Sequence, residues 1–139
     1  MAAVGAPLDS VSASIVDLTN VERDRAGIAP LRTNQQLMRA AQLQAEQMAS
    51  IGRLDHVLNG GPYPSPKDRL AAAGYRWQAY GENIAYGQTG PEAVTDGWMH
   101  SAGHRINVLN AAYTELGTGY AVDRDGRPYF VQVFGRPVS

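Results

Sequence analysis

Apolar residues in the first fifty positions recur at helical spacing. After Asp9 or Ser10, either able to cap, Val11, Ile15, Leu18 and Val21 fall at steps of three and four, so an amphipathic helix is expected there, ended by Gly27. A second helix is expected after Thr33 or Asn34, with Leu37, Ala41, Gln44, Ala45 and Met48 on or near one face and Gly52 as its stop. Its alanines allow close packing. Residues 59–66 (NGGPYPSP) interrupt the periodicity and read as a surface loop, after which Lys67 to Ala73 forms a short helix closed by Gly74. A loop is expected through Trp77 and Tyr80. Pro91, Ala93, Val94, Trp98 and Met99 then suggest a third substantial helix, followed by a short turn from Gly103 to Leu109.

Near the C-terminus the period changes from that of a helix to that of a strand. Residues 115–122 (ELGTGYAV) and 129–134 (YFVQVF) are rich in aromatic and β-branched types, and Asp125-Gly126 between them is a hairpin signal. Tyr129, Val131 and Val133 alternate with Phe130, Gln132 and Phe134, so both faces of the strand carry apolar groups and both need cover. The expectation is an α+β fold, a three-layer α-β-α sandwich with a small antiparallel sheet between helices. One domain over residues 8–139 accounts for the pattern, with residues 1–7 as an N-terminal tail or cloning remnant.

Composition removes several function classes. The 139 residues carry a formal charge of −1 and a pI of about 6.3, so no basic footprint exists to neutralise phosphates, and a nucleic-acid partner is not expected. There are no cysteines, which excludes disulfides, thiolate metal sites and a cysteine nucleophile. No apolar run approaches the roughly 18 residues needed to span a bilayer, and residues 1–7 lack the charged and apolar regions of a complete signal peptide.

Six stretches, in order, carry a family resemblance: Leu18 to Leu31 (LTNVERDRAGIAPL), Gly52 to His56 (GRLDH), Ser65 to Tyr75 (SPKDRLAAAGY), Gly81 to Tyr86 (GENIAY), Trp98 to Asn110 (WMHSAGHRINVLN), and Tyr113 to Tyr120 with the terminal strand. Together they resemble the bacterial, cysteine-free branch of the CAP superfamily, also called SCP-like or pathogenesis-related-1-like. The resemblance implies the α-β-α sandwich, an extracellular or secreted location, and a cleft lined by two histidines and up to two glutamates. Motif by motif, the histidines fall at His56 and His104 and one glutamate at Glu82. The second glutamate of many eukaryotic members falls at Ser101, a departure that weakens any mechanism requiring two carboxylates.

Two neutral imidazoles converging on one point can bind a divalent cation, and a carboxylate beside them can ligate it or orient a ring by accepting its N–H. His56, Glu82 and His104 are therefore the candidate catalytic and metal-binding residues, with zinc the expected ion and water or substrate completing an open shell. The alternative is that Glu82 simply hydrogen-bonds a histidine and fixes the loop after it. His100 lies four residues before His104, but Ser101 and Gly103 weaken a helix between them, so His100 reads as an exposed helical residue. A hydrolytic arrangement would set Ser101 as nucleophile, His104 as base and Glu82 as the group orienting that ring; no GxSxG elbow supports it, and Ser101 reads as readily as a cap. A carboxylate beside both histidines would raise both of their pKa values.

The remaining candidates are supporting residues. Asn20 with Arg23, and Arg69 and Arg105, are expected to pin loops by donating to carbonyls. Tyr86, Trp98 and Tyr113 are candidate ligand-binding residues that serve equally as core or cleft wall. Gly81 lets backbone pass close to the cleft. The first functional expectation is a binding module, monomer or weak dimer, for a lipid-like, glycan or peptide ligand. A metal-assisted hydrolase with Glu82 as base and a non-catalytic extracellular interaction domain are the alternatives.

Overall fold

The structure, a computed structural model, describes residues 6–139, with side chains from Ser10 onward. Most of the expected tail, residues 1–5, lies outside the described residues. The elements are α1 (Ala6–Arg25), β1 (Arg32–Thr33), α2 (Gln35–Ile51), α3 (Pro66–Ala73), β2 (Trp77–Tyr86), α4 (Pro91–Met99), α5 (Ala102–Val108), β3 (Glu115–Val122) and β4 (Pro128–Pro137). Asp9 and Ser10 therefore lie inside α1 and do not cap it.

Local chemistry accounts for the other helix ends. The Asn34 side chain accepts from the Gln36 and Leu37 amides at the start of α2, and Gly52 ends the helix at φ 78°, where a side chain would be strained. Ser65 and Asp68 form a reciprocal capping box ahead of Pro66 on α3.

The sheet order is β1-β3-β4-β2. β4 pairs antiparallel with β3, as the hairpin signal requires, and also with β2. β1 pairs parallel with β3, so the sheet is mixed where a purely antiparallel one was expected. Two further corrections concern the middle of the chain. Trp77 and Tyr80 lie in strand β2 and not in a loop, and the expected turn Gly103 to Leu109 is mostly the helix α5.

The alternation along β4 divides the core. Tyr129, Val131 and Val133 join Leu37, Ala41, Ala45 and Met48 of α2 and Leu70 of α3 on one face. Phe130 joins Ile15, Val94 and Trp98 on the other, and Phe134 joins Leu31, Val108 and Leu116 beside them. Each such large side chain removed from water contributes about 1.5–3 kcal/mol. The buried stripe of α1 is Ser12, Ile15, Thr19 and Arg23, while Val21 is 44% exposed. The helix is thus turned so that polar groups enter the interior, where the Thr19 hydroxyl donates to Ile15 O and the Arg23 guanidinium finds four carbonyls.

Arg23 illustrates the reason. Its Nε donates to Ala29 O, Nη1 to Val108 O and Asn110 O, and Nη2 to Tyr113 O. Asn20 exchanges two hydrogen bonds with the backbone of Leu31. One guanidinium fork and one amide tie two loops and the end of α5 to the sandwich, as expected of them.

Candidate functional site

β2 is an edge strand, and its successive side chains point to opposite faces. Glu82 opposes Val133 in the ladder and shares its face, toward α2 and α3; Asn83 opposes Gln132 and faces the layer of α1, α4 and α5. One dipeptide therefore reaches both helical layers.

On the first face, the Glu82 side chain is 4% exposed and its Oε1 accepts from His56 Nδ1 at 2.8 Å. Arg69 Nη2 lies 3.3 and 3.2 Å from the two Glu82 oxygens and also donates to His56 O at 2.8 Å. Arg69 Nη1 holds Tyr63 O and Pro64 O. Arg69 is a loop pin, as expected, and it is also the countercharge of Glu82, a role the sequence reading missed. Gln44 of α2 secures the same loop by donating to Asp55 O at 2.8 Å. His56 itself is half-exposed.

On the second face, Asn83 Nδ2 donates to His104 O at 3.1 Å and to Gln132 Oε1 at 2.9 Å. Asn107 donates to Asn83 Oδ1, and Gln132 Nε2 donates to Thr19 Oγ1, which donates to Ile15 O. This chain of amides and a hydroxyl anchors α5 to the sheet and explains the glutamine among the inward-facing residues of β4. Asn83, Asn107 and Gln132 are supporting residues missed in the sequence; the visible signal was a polar pair inside an otherwise strand-like run.

His104 lies on α5, and its Nδ1 is 2.9 Å from Ser101 Oγ. Ser101 occupies the N-cap position of α5 without making a side-chain cap bond. The arrangement consists of two pairs, His56 with Glu82 and His104 with Ser101. The expected triad is corrected accordingly: Ser101 and His104 do meet, but Glu82 orients the other ring, because it points to the opposite face of β2.

Electrostatics separate the histidines. The hydrogen bond to Glu82 raises the His56 pKa above its ordinary 6.5, against partial burial. Burial, then the nearby charge of His56, pushes His104 below 6.5. The expectation that both rise is thus wrong for His104, although His56 and His104 are close enough to couple.

The other candidates are placed as follows. His100 ends α4, well exposed, with its Nδ1 2.8 Å from Asp96 O, and does not join His104. Arg105 is exposed. Trp98 is 2% exposed and its indole N–H donates to Ile84 O. Tyr113 is 7% exposed, stacks on Phe134 and donates to Tyr80 O. Both serve the core and present no ring face to a ligand. Tyr86 is exposed, tilted against Tyr129. A methyl group at Gly81 would meet Tyr113 Oη at 2.6 Å and Asn107 Oδ1 at 3.0 Å, so glycine is needed there for close approach.

Residues 16–134 match the family model of the cysteine-rich secretory protein family, CAP. The chain belongs to this family. It does so with no cysteine of its own. The uncharacterized protein YkwD of Bacillus subtilis is 40% identical over 114 residues, covering 80% of the chain and 44% of YkwD. The uncharacterized membrane protein YlbC of the same organism is 41% identical over 120 residues, covering 86% of the chain and 33% of YlbC. An extracellular protein containing an SCP domain from Bacillus anthracis superposes with a TM-score of 0.83 at 31% identity, over 93% of this chain and 41% of that one. The CAP domain here thus spans less than half the length of these bacterial relatives. No helix among the described residues is long and apolar enough to cross a membrane.

Proposed function

We propose that this CAP domain acts outside the cell as a binding module, its His56, Glu82 and His104 site engaging the polar end of a small amphipathic, lipid-like or peptide ligand. The observation that carries the reading is the use of the ring nitrogens. Both Nδ1 atoms are engaged, by Glu82 and by Ser101, and among the described residues neither Nε2 has a partner. Two oriented rings are left with one free nitrogen each. Leu54 and Val57, 44% and 41% exposed, flank His56 in the chain and supply an apolar lip. An extracellular setting agrees with the description of the Bacillus anthracis protein.

The test is a screen of the purified domain against acyl chains, glycans and peptides, repeated with His56→Ala and His104→Ala. Binding lost in both variants supports the reading; no binding above background to any class removes it.

A second reading, metal-assisted hydrolysis, takes its support from Glu82, whose bond to Nδ1 is the kind that orients a metal-ligating histidine. The donor set fits poorly, however. Both Glu82 oxygens are committed to His56 and Arg69, which leaves two nitrogens where catalytic zinc normally has three protein ligands. Calorimetric titration with zinc, with His104→Ala as control, separates the readings: tight binding lost in the variant favours the metal.

A further inference from the structure

The partners of the two cleft histidines differ in what they can give. Glu82, a carboxylate paired with Arg69, can only accept a hydrogen bond. The neutral His56 ring therefore carries its hydrogen on Nδ1, 2.8 Å from Glu82 Oε1, and its Nε2 keeps a lone pair. His104 faces a group of the other kind. Ser101 Oγ lies 2.9 Å from His104 Nδ1, has a hydrogen to give, and among the described residues has no other hydrogen-bond partner. The hydroxyl thus donates to Nδ1, and the neutral His104 ring carries its hydrogen on Nε2. This assignment follows from what each neighbour can give or take. The two unpartnered nitrogens are then unlike: His56 offers an acceptor and His104 a donor. The rings are near enough for the charge of His56 to act on His104.

We infer that this site selects a neutral group that accepts and donates at once, an alcohol hydroxyl or a carboxamide, with His104 Nε2–H donating to its oxygen and His56 Nε2 accepting its hydrogen. The inference rests on the reading of these residues as the polar end of a binding cleft, and it makes Ser101 a positioning residue that acts through His104. Charged head groups satisfy one ring only: a carboxylate has no hydrogen for His56, and an ammonium has no lone pair for His104. A divalent cation needs a lone pair on both Nε2 atoms, which requires the His104 hydrogen to move to Nδ1 and the Ser101 hydroxyl to turn away from it.

The experiment reads the tautomers first. Long-range ¹H–¹⁵N NMR of the labelled protein, with both rings neutral, should show His56 protonated on Nδ1 and His104 on Nε2. A His104 hydrogen found on Nδ1 overturns the inference and leaves the binding reading standing. Head groups are then compared on one alkyl chain, as 1-hexanol, hexanamide, hexanoate and hexylamine at constant ionic strength. Expected are saturable shifts at both rings with the alcohol or the amide, and binding about fivefold weaker for the two ions, the loss of one hydrogen bond. Tighter binding of hexanol assigns an alcohol, and tighter binding of hexanamide an amide. Ser101→Asp, whose carboxylate only accepts, should move the His104 hydrogen to Nδ1 and weaken the favoured probe about fivefold; Ser101→Thr, which keeps a hydroxyl, should retain both the tautomer and the affinity. Ions bound as tightly as the neutral compounds, or a Ser101→Asp variant that moves the hydrogen without weakening binding, overturns the inference. Saturation by none of the four overturns it as well, and the wider screen with His56→Ala and His104→Ala then decides the binding reading separately.

Discussion

Arg69→Met tests whether the guanidinium holds the site together. The arginine is 1% exposed and the Glu82 side chain 4%, so removing one charge strands the other in a dry environment. Breaking a buried pair in this way costs about 3–5 kcal/mol. Three carbonyls, of His56, Tyr63 and Pro64, lose a donor as well, although the exposed loop lets water replace part of that loss. We expect a net cost of about 4 kcal/mol, or about 12–16 °C in melting temperature for a chain of this size. Urea unfolding followed by circular dichroism measures it, as a fall in midpoint at constant slope. The double-mutant cycle with Glu82→Gln isolates the pair, with an expected coupling of about 2 kcal/mol, because Arg69→Met does less harm once Glu82 carries no charge. Arg69→Lys should recover only a fraction, since an ammonium cannot reach the Glu82 oxygens and the three carbonyls together. A cost for Arg69→Met below about 1 kcal/mol, or single effects that add to within about 0.5 kcal/mol, would refute this account of the site.

Three further outcomes are expected. Ser101→Ala should cost less than about 0.5 kcal/mol by urea unfolding, below the usual loss for an N-cap serine, because the hydroxyl bonds His104 and caps nothing; a loss of 1 kcal/mol or more would show that it caps. Gly119→Ala should cost at least about 3 kcal/mol or prevent folding, since a methyl group there collides with the backbone of α2 at Ala41; near-native stability would contradict the packing of β3 against α2. NMR titration should place His56 above and His104 below 6.5, with Glu82→Gln lowering His56. For His56 the raised value means a stabilisation present below pH 6.5 and lost as pH rises through the folded value; the depressed value of His104 acts oppositely, subtracting stability as pH falls below 6.5. Coincident titrations would refute the division of roles.

What the sequence made legible, and what it hid, follows from where each residue finds its partner. The caps at Asn34 and Gly52, the apolar face of α2 and the β3–β4 hairpin depend on neighbours within a few positions or on simple alternation, and they were readable. α1 was misread in detail because the partners of Arg23 lie 85 to 90 residues away at Val108, Asn110 and Tyr113, and no local period announces a buried arginine. Of β2, only the stretch through Trp77 and Tyr80 is expected as a loop; beyond it Glu82 and Asn83 interrupt the apolar alternation. That interruption is itself the organising feature of the site. A strand between two helical layers gives adjacent residues to different layers, so Glu82 is committed to Arg69 and His56 while Asn83 secures α5. His56 and His104 then approach from opposite sides of one edge strand, each held by its own partner. Of the two rings only His56 is hydrogen-bonded to Glu82, and His104 is bonded to Ser101 instead. The motif therefore names His56, Glu82 and His104 as candidates, while the separate environments of the two histidines become visible only in the register of β2 on β4.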